Sequence, residues 1–195
     1  PPPRLVSSAA SDVYKRQFFY RFRSDRLSSD VGRAKLLDDS AKETSFAVMS
    51  CSNFPAGYFN VYEACAYEEI DFWIHLGDYL YEYPMDGYAT ENAQLLNRIP
   101  EPHHEILTLS DYRKRHAQYK KDPQSQLLHA THPLIAVWDD HEITNDTWKY
   151  GAENHDASEG SFLERKSNAI KAYLEWMPIR AVSYTHLTLP TIPTV

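Results

Sequence analysis

Two cysteines in 195 residues, Cys51 and Cys65, are too few for a disulfide framework, and their spacing is not that of a zinc knuckle. Neither reveals the redox compartment. No apolar run is long enough to cross a bilayer, so a transmembrane helix is not expected. Positive charge is also scarce. The chain has 20 Lys and Arg against 27 acids; six of the basic residues and two of the acids fall within residues 1–26, leaving 14 against 25 for the rest. That balance argues against a nucleic-acid-binding surface. It suits a cation site, although an acidic surface is also the ordinary way to stay soluble. Enough apolar material remains for one core and at most one domain.

What is present is a repeated arrangement of apolar strand and polar tip. The run Phe72-Trp73-Ile74-His75-Leu76 ends in Gly77-Asp78, with Tyr81 three residues after the aspartate. In an open α/β sheet the carboxyl ends of strands deliver catalytic side chains into surrounding loops. Gly77 allows a sharp turn, Asp78 offers a carboxylate able to bridge two cations, and Tyr81 offers a phenolate. On these residues alone an ordinary Gly-Asp turn is an equally good reading. The run Leu134-Ile135-Ala136-Val137-Trp138 then ends in four consecutive ionisable residues, Asp139-Asp140-His141-Glu142. Adjacent carboxylates repel, and a multivalent cation relieves that repulsion. Asp140 is the favoured ligand of the pair, and His141 is placed to donate a hydrogen bond to a phosphoryl oxygen or leaving group. A third run, Phe46-Ala47-Val48-Met49, leads to Ser50-Cys51-Ser52-Asn53. Cys51 alone is weak, since a lone cysteine at a strand end is usually a small buried hydrophobe.

Strands are therefore expected over residues 45–50, 71–76 and 134–138. Their near-continuous apolar character is the pattern of strands covered on both faces. A short helix is predicted over 59–68, with Phe59, Tyr62, Ala66 and Tyr67 inward. A long loop is predicted from Pro84 to Leu109, rich in Pro, Gly and Asn. A helix capped by Ser110 should follow, stopping before Pro123, with Tyr112, His116 and Tyr119 on one face. The last predicted helix runs over 158–176 with Phe162, Ala169, Ile170, Tyr173 and Met177 as its core stripe. Arg113 or Arg115 would suit a guanidinium clamp on phosphoryl oxygens, and spacing does not choose between them. His75 reads as a packed, hydrogen-bonded histidine; His103, His104, His129 and His132 receive no role. Asn145 and Asp146 offer oxygen ligands for calcium, although Asn-Asp is also a routine turn pair.

Ser50-Cys51-Ser52-Asn53-Phe54-Pro55, His75-Leu76-Gly77-Asp78-Tyr79-Leu80-Tyr81, Asp111-Tyr112-Arg113-Lys114-Arg115-His116 and Val137-Trp138-Asp139-Asp140-His141-Glu142 together resemble the successive signatures of the PhoD-like alkaline phosphatase and phosphodiesterase family. The resemblance covers roughly residues 31–180. It implies an α/β fold of the binuclear metallophosphoesterase type, a four-layer α/β/β/α sandwich of which this chain would be the truncated N-terminal half. A truncated half-sandwich, with helices on one side alone, would leave one sheet face without a partner. It also implies metal-dependent hydrolysis of phosphate monoesters or diesters with Fe3+ and Ca2+. Cys51, Asp78 and Tyr81 would hold the iron, with Asp78 bridging towards calcium near Asp140 and Asn145. The catalytic groups would be His141 and Arg113. Cys51 and the doubled aspartate separate this pattern from purple-acid-phosphatase-like enzymes. Members of the family are usually exported.

Residues 1–17 and 181–195 depart from that pattern and resemble translated adapter sequence. They are expected to be a non-native or disordered leader and a non-native tail. Residues 18–44 would be a linker and 45–180 a partial domain. Since nothing after Arg180 matches the family's later ligands, a non-catalytic metal-binding fragment is the alternative function.

Overall fold

The computed structural model describes residues 17–35 and 41–179, with the backbone of residues 4–6. The expected tail over 181–195, most of the leader and Arg180 lie outside the described residues. β1 (Arg4–Val6), β2 (Gln17–Arg23) and β3 (Gly32–Lys35) form an antiparallel sheet in that order. The expected linker thus contains most of β2 and all of β3. The run Phe18-Phe19-Tyr20-Arg21-Phe22 has the aromatic content of a strand, and its pairing with β3 supplies the backbone partners a linker would lack. A Lys35 to Asp71 ion pair ties β3 to the residue just before the next sheet's central strand.

β4 (Phe46–Met49), β5 (Phe72–His75) and β6 (Leu134–Ala136) make the parallel sheet, with β5 in the middle. Each parallel connection needs a crossover. Helix α1 (Asn60–Ala66) supplies the first, and α2 (Leu109–Lys121) and α3 (Pro123–Thr131) the second. α4 (Phe162–Trp176) follows β6 and packs on α2, while α1 packs on α3. No helix of the described residues is long and apolar enough to cross a membrane.

One face of this sheet is buried by the helices and the other is open. Trp73 and His75 are fully buried, whereas Phe46, Val48, Ile135 and Val137 are about half exposed. This is the uncovered face expected of a half-sandwich, on strands whose apolar runs suit cover on both sides. The apolar residues are there, but all the helices that bury the sheet lie against one side of it.

Local chemistry explains most helix boundaries. α2 begins one residue earlier than expected because Thr108, not Ser110, caps it. The Thr108 hydroxyl accepts from Asp111 N–H, and the Asp111 carboxylate accepts from Thr108 N–H at 2.9 Å. Tyr112, His116 and Tyr119 are buried as predicted. Pro123 does more than follow a helix stop. It occupies the first turn of α3, where its missing N–H costs nothing, and Asp122 caps that helix by accepting from Ser125 N–H at 2.9 Å. α4 starts at Phe162, after the Ser161 cap, and its core stripe is the expected one. Tyr67 is the exception on α1: it sits at the helix C-cap and is exposed.

The long loop between β5 and α2 is held by two buried arginines. Arg115 donates to the carbonyls of Tyr81, Tyr83, Glu101 and Pro102, so one guanidinium pins both arms of the loop. Arg98 lies 3.7 Å above the Phe54 ring and pairs with Asp122 at 2.6 Å. The loop is irregular in conformation yet fixed in place.

Candidate metal centre

The carboxyl ends of β4, β5 and β6 bring three loops together. Cys51 follows β4, Asp78 and Tyr81 follow β5, and Asp140 and His141 follow β6. Asp78, Asp140 and His141 present one ligand atom each, all within 4.8 Å of one another. Cys51 Sγ lies 3.4 Å from Asp78 Oδ2, and the Tyr81 hydroxyl 3.3 Å from the same oxygen. Five of the seven residues expected at the site are therefore adjacent, and of the aspartate pair it is Asp140 that joins the cluster.

The backbone here is held in unusual conformations. Cys51 and Asp78 both have positive φ, at 58° and 55°, which non-glycine residues seldom adopt. Such strain, of order 1–3 kcal/mol per residue, persists where surrounding structure enforces it. Part of the enforcement is Gly77, whose φ is 112° and whose added Cβ would stand 2.4 Å from Asp139 N. Gly77→Ala should therefore lower the urea midpoint of unfolding by the equivalent of about 1–3 kcal/mol or more. A variant unfolding at the parent midpoint would show that the two tips have slack.

The rest is enforced by Glu142, which sequence reasoning left without a role. Its carboxylate is almost fully buried and accepts three backbone N–H groups, from Asp78 at 3.1 Å, Tyr79 at 2.6 Å and Asp139 at 3.0 Å. One side chain thus staples the β5 tip to the β6 tip. Burial nevertheless pushes its pKa up to about 7, against the opposing pull of those N–H groups. A second buried acid, Glu82, was also missed. It is fully buried and pairs with His141 Nδ1 at 2.8 Å. Burial would raise the Glu82 pKa, but the His141 hydrogen bond and charge, with Asn154 and Asn145, hold it below the ordinary glutamate value. The signal for both was weak, because a single Glu beside aromatic or acidic neighbours has no diagnostic spacing.

The electrostatics favour a cation. Burial raises the Asp78 pKa, and Asp140 adds to the rise while His141 opposes it. Asp139 is raised likewise, by burial and by Asp140. Burial alone would lower the His141 pKa, but Glu82, Asp78 and Asp140 outweigh it and raise it. Tyr81 is pushed far up by burial and then by the Asp78 charge, so its phenol stays protonated unless a cation takes the proton's place. Most telling is Asp78 Oδ1, a buried carboxylate oxygen with no hydrogen-bond partner among the described residues. A buried unpaired oxygen is costly, and a cation held among these donors would satisfy it. The set of carboxylate, thiol, phenol and imidazole fits a hard cation with an additional soft or tyrosinate ligand.

Asn145 lies beside the cluster: its N–H donates to Glu82 at 2.8 Å and its side-chain NH2 to Glu153 at 2.9 Å, and neither bond uses its carbonyl oxygen. Arg113 is not brought to the site. It forms a two-pronged ion pair with Glu175 of α4, both bonds 2.7 Å, on an exposed helix face. His75 is the packed histidine expected: its Nε2 lies 2.9 Å from the Ser52 hydroxyl, and burial lowers its pKa to about 4. His129 lies near the end of α3, 2.8 Å from the Tyr79 hydroxyl.

The chain is similar in sequence and in fold to known proteins. The sequence profile described as PhoD-like phosphatase matches residues 46–189. Over 169 residues the chain is 36% identical to alkaline phosphatase D of Bacillus subtilis strain 168, a match covering 85% of this chain and 28% of that protein. The solved structure of PhoD superposes with a TM-score of 0.74 at 35% identity, covering 84% of this chain and 31% of the other. The chain spans less than a third of the length of either relative.

Proposed function

The chain belongs to the PhoD-like phosphatase family, and from that premise we propose that its strand tips form one side of a metal centre for hydrolysing phosphate monoesters or diesters. The observation that carries this reading is the buried Asp78 Oδ1, without a hydrogen-bond partner among the described residues, on a residue of the Asp78, Asp140 and His141 cluster. Cys51, Asp78 and Tyr81 would hold Fe3+, and Asp78 would reach towards Ca2+ near Asp140, with Asn145 at the border. Bound cations would supply Lewis-acid neutralisation of charge on a phosphoryl group. The chain's own residues would do the rest. His141, backed by Glu82, is the hydrogen-bond donor for a phosphoryl oxygen or for the leaving group, and positioned acid–base groups contribute about 10²–10⁴-fold. Gly77 and Glu142 keep the two tips close enough for Asp78 and Asp140 to act on one substrate.

A metal-binding chain without turnover is the second reading, favoured by the share of its relatives that the chain spans. Iron and calcium content of the purified chain, measured beside hydrolysis of a chromogenic phosphodiester, separates the two. Under both readings iron(III) should give a visible tyrosinate charge-transfer band that Tyr81→Phe removes without altering the far-ultraviolet circular dichroism. Tyr79 does not offer a substitute ligand, because its hydroxyl is committed to His129 and to Ser125 at 3.3 Å. A band that survives Tyr81→Phe would remove Tyr81 from the centre; absence of any bound metal would sink both readings.

A further inference from the structure

Glu82 has more hydrogen-bond donors around it than a side chain needs merely to be buried. Its backbone is fixed on both sides, since Arg115 donates to the carbonyls of Tyr81 and Tyr83, and Ile106 N–H donates to the Glu82 carbonyl at 3.1 Å. Its carboxylate is then divided. Oε1 accepts from Asn145 N–H and from Asn154 Nδ2, each at 2.8 Å. The Thr144 hydroxyl, 3.2 Å from Oε1, shares its one proton with the Asn154 carbonyl at 2.7 Å. Oε2 faces His141 Nδ1 alone, at 2.8 Å.

That division has a chemical consequence. An ionised carboxylate only accepts, so Nδ1 of His141 must carry a proton. In the neutral ring Nε2 is then the nitrogen with the free lone pair, and in the charged ring it is the donor not already engaged by Glu82. Resting on the reading of His141 as the group that meets the phosphoryl ester, we infer that Glu82 is a positioning residue: it selects the His141 tautomer and ring orientation, while tying the segments at 144–145 and 154 around the β6 tip. Orientation of an imidazole by an acceptor on its other nitrogen is a general device, and its loss changes which nitrogen is protonated rather than whether the ring is present.

The asymmetry between the two oxygens makes the inference testable by one atom. In Glu82→Gln the backbone N–H of Asn145 cannot reverse, so the amide oxygen must take the Oε1 position. The NH2 group then faces His141 Nδ1 and requires it to accept, which moves the proton of the neutral ring to Nε2. The measurement is ¹⁵N NMR of histidine-labelled, metal-free chain at alkaline pH, where the ring is neutral. The parent should show a protonated Nδ1 and an unprotonated Nε2, and Glu82→Gln should show the two shifts exchanged. Asn154→Ala, which removes one donor from Oε1 but leaves Oε2 alone, should keep the parent pattern.

A parent His141 protonated mainly on Nε2 overturns the inference without any variant, as does a Glu82→Gln spectrum identical to the parent's. Addition of methylphosphonate with calcium tests the reading underneath. A shift at Nε2 supports His141 as the group that meets the phosphoryl moiety. An unmoved Nε2 in a ring of the expected tautomer overturns that role and leaves the tautomer selection by Glu82 standing.

Discussion

Glu142→Ala should lower the melting temperature of the metal-free chain by about 10 °C at pH 5, and by less at pH 8. The size follows from what the carboxylate holds. Three backbone N–H groups at the joined strand tips lose their acceptor, each costing about 1–3 kcal/mol if it stays buried. For a chain of this size each kcal/mol is worth about 2–4 °C. Local opening would let water reach some of these groups and reduce the loss, which is why the lower end of the range is the better guide.

The pH dependence follows from burial. Glu142 has its folded pKa raised from 4.5 to about 7, so between those values the folded chain binds more protons at this group than the unfolded chain does. Stability from this group is therefore fully present below the unfolded value and declines as pH rises through about 7. The alanine variant has no such group and no such decline, so the gap between the two narrows towards alkaline pH. Melting curves recorded with chelator at both pH values measure it. A gap that widens with pH would mean that the three N–H donors outweigh desolvation and that the carboxylate is favoured as an anion.

Much of the site was legible because its chemistry is concentrated at strand ends. An apolar run that stops at Gly77-Asp78, and another that stops at Asp139-Asp140-His141-Glu142, can be found without coordinates, and so can the tyrosine at the next turn. Which member of the aspartate pair joins the cluster could be stated only as a preference. Glu82 and Glu142 were not found because their roles depend on atoms distant in sequence: the Asp78 and Tyr79 N–H groups in one case, and His141, Asn145 and Asn154 in the other. Arg113 illustrates the opposite difficulty. Its sequence context suits a phosphate clamp, yet helix rotation places it opposite Glu175 and turns Arg115 inward instead. Helix caps were similarly close to ambiguous, with Thr108 and Ser110 two residues apart and only the reciprocal bonds with Asp111 deciding between them.

The largest effect on the behaviour of the chain in solution should come from the open sheet face. Phe46 and Val48 on β4, Ile135 on β6, and Leu76 and Val137 just beyond the strands are each about half exposed, and Phe46 stacks flat on Phe72 at 5.3 Å. Register places Val48 opposite Ile74 and Ile74 opposite Ile135, so these residues form one continuous apolar surface across all three strands. Fully burying an aliphatic or phenyl side chain is worth about 1.5–3 kcal/mol, and about half of that remains to be gained by each of these. Two such faces meeting would gain on the order of 10 kcal/mol, against roughly 4–15 kcal/mol lost in translational and rotational freedom. The two are comparable, so association should be concentration-dependent rather than tight, with precipitation where more than two faces or strand edges meet. The 195-residue chain expressed alone should therefore be poorly soluble and sediment as a mixture at tens of micromolar (~) concentrations. Replacing Val48 and Ile135 together by lysine puts a charge on each outer strand of the sheet, leaving the buried face untouched. That variant should sediment as a monomer with far-ultraviolet circular dichroism like the parent's. Parent protein that is monomeric over the same range, or a double-lysine variant that associates as the parent does, would show that this face does not drive association.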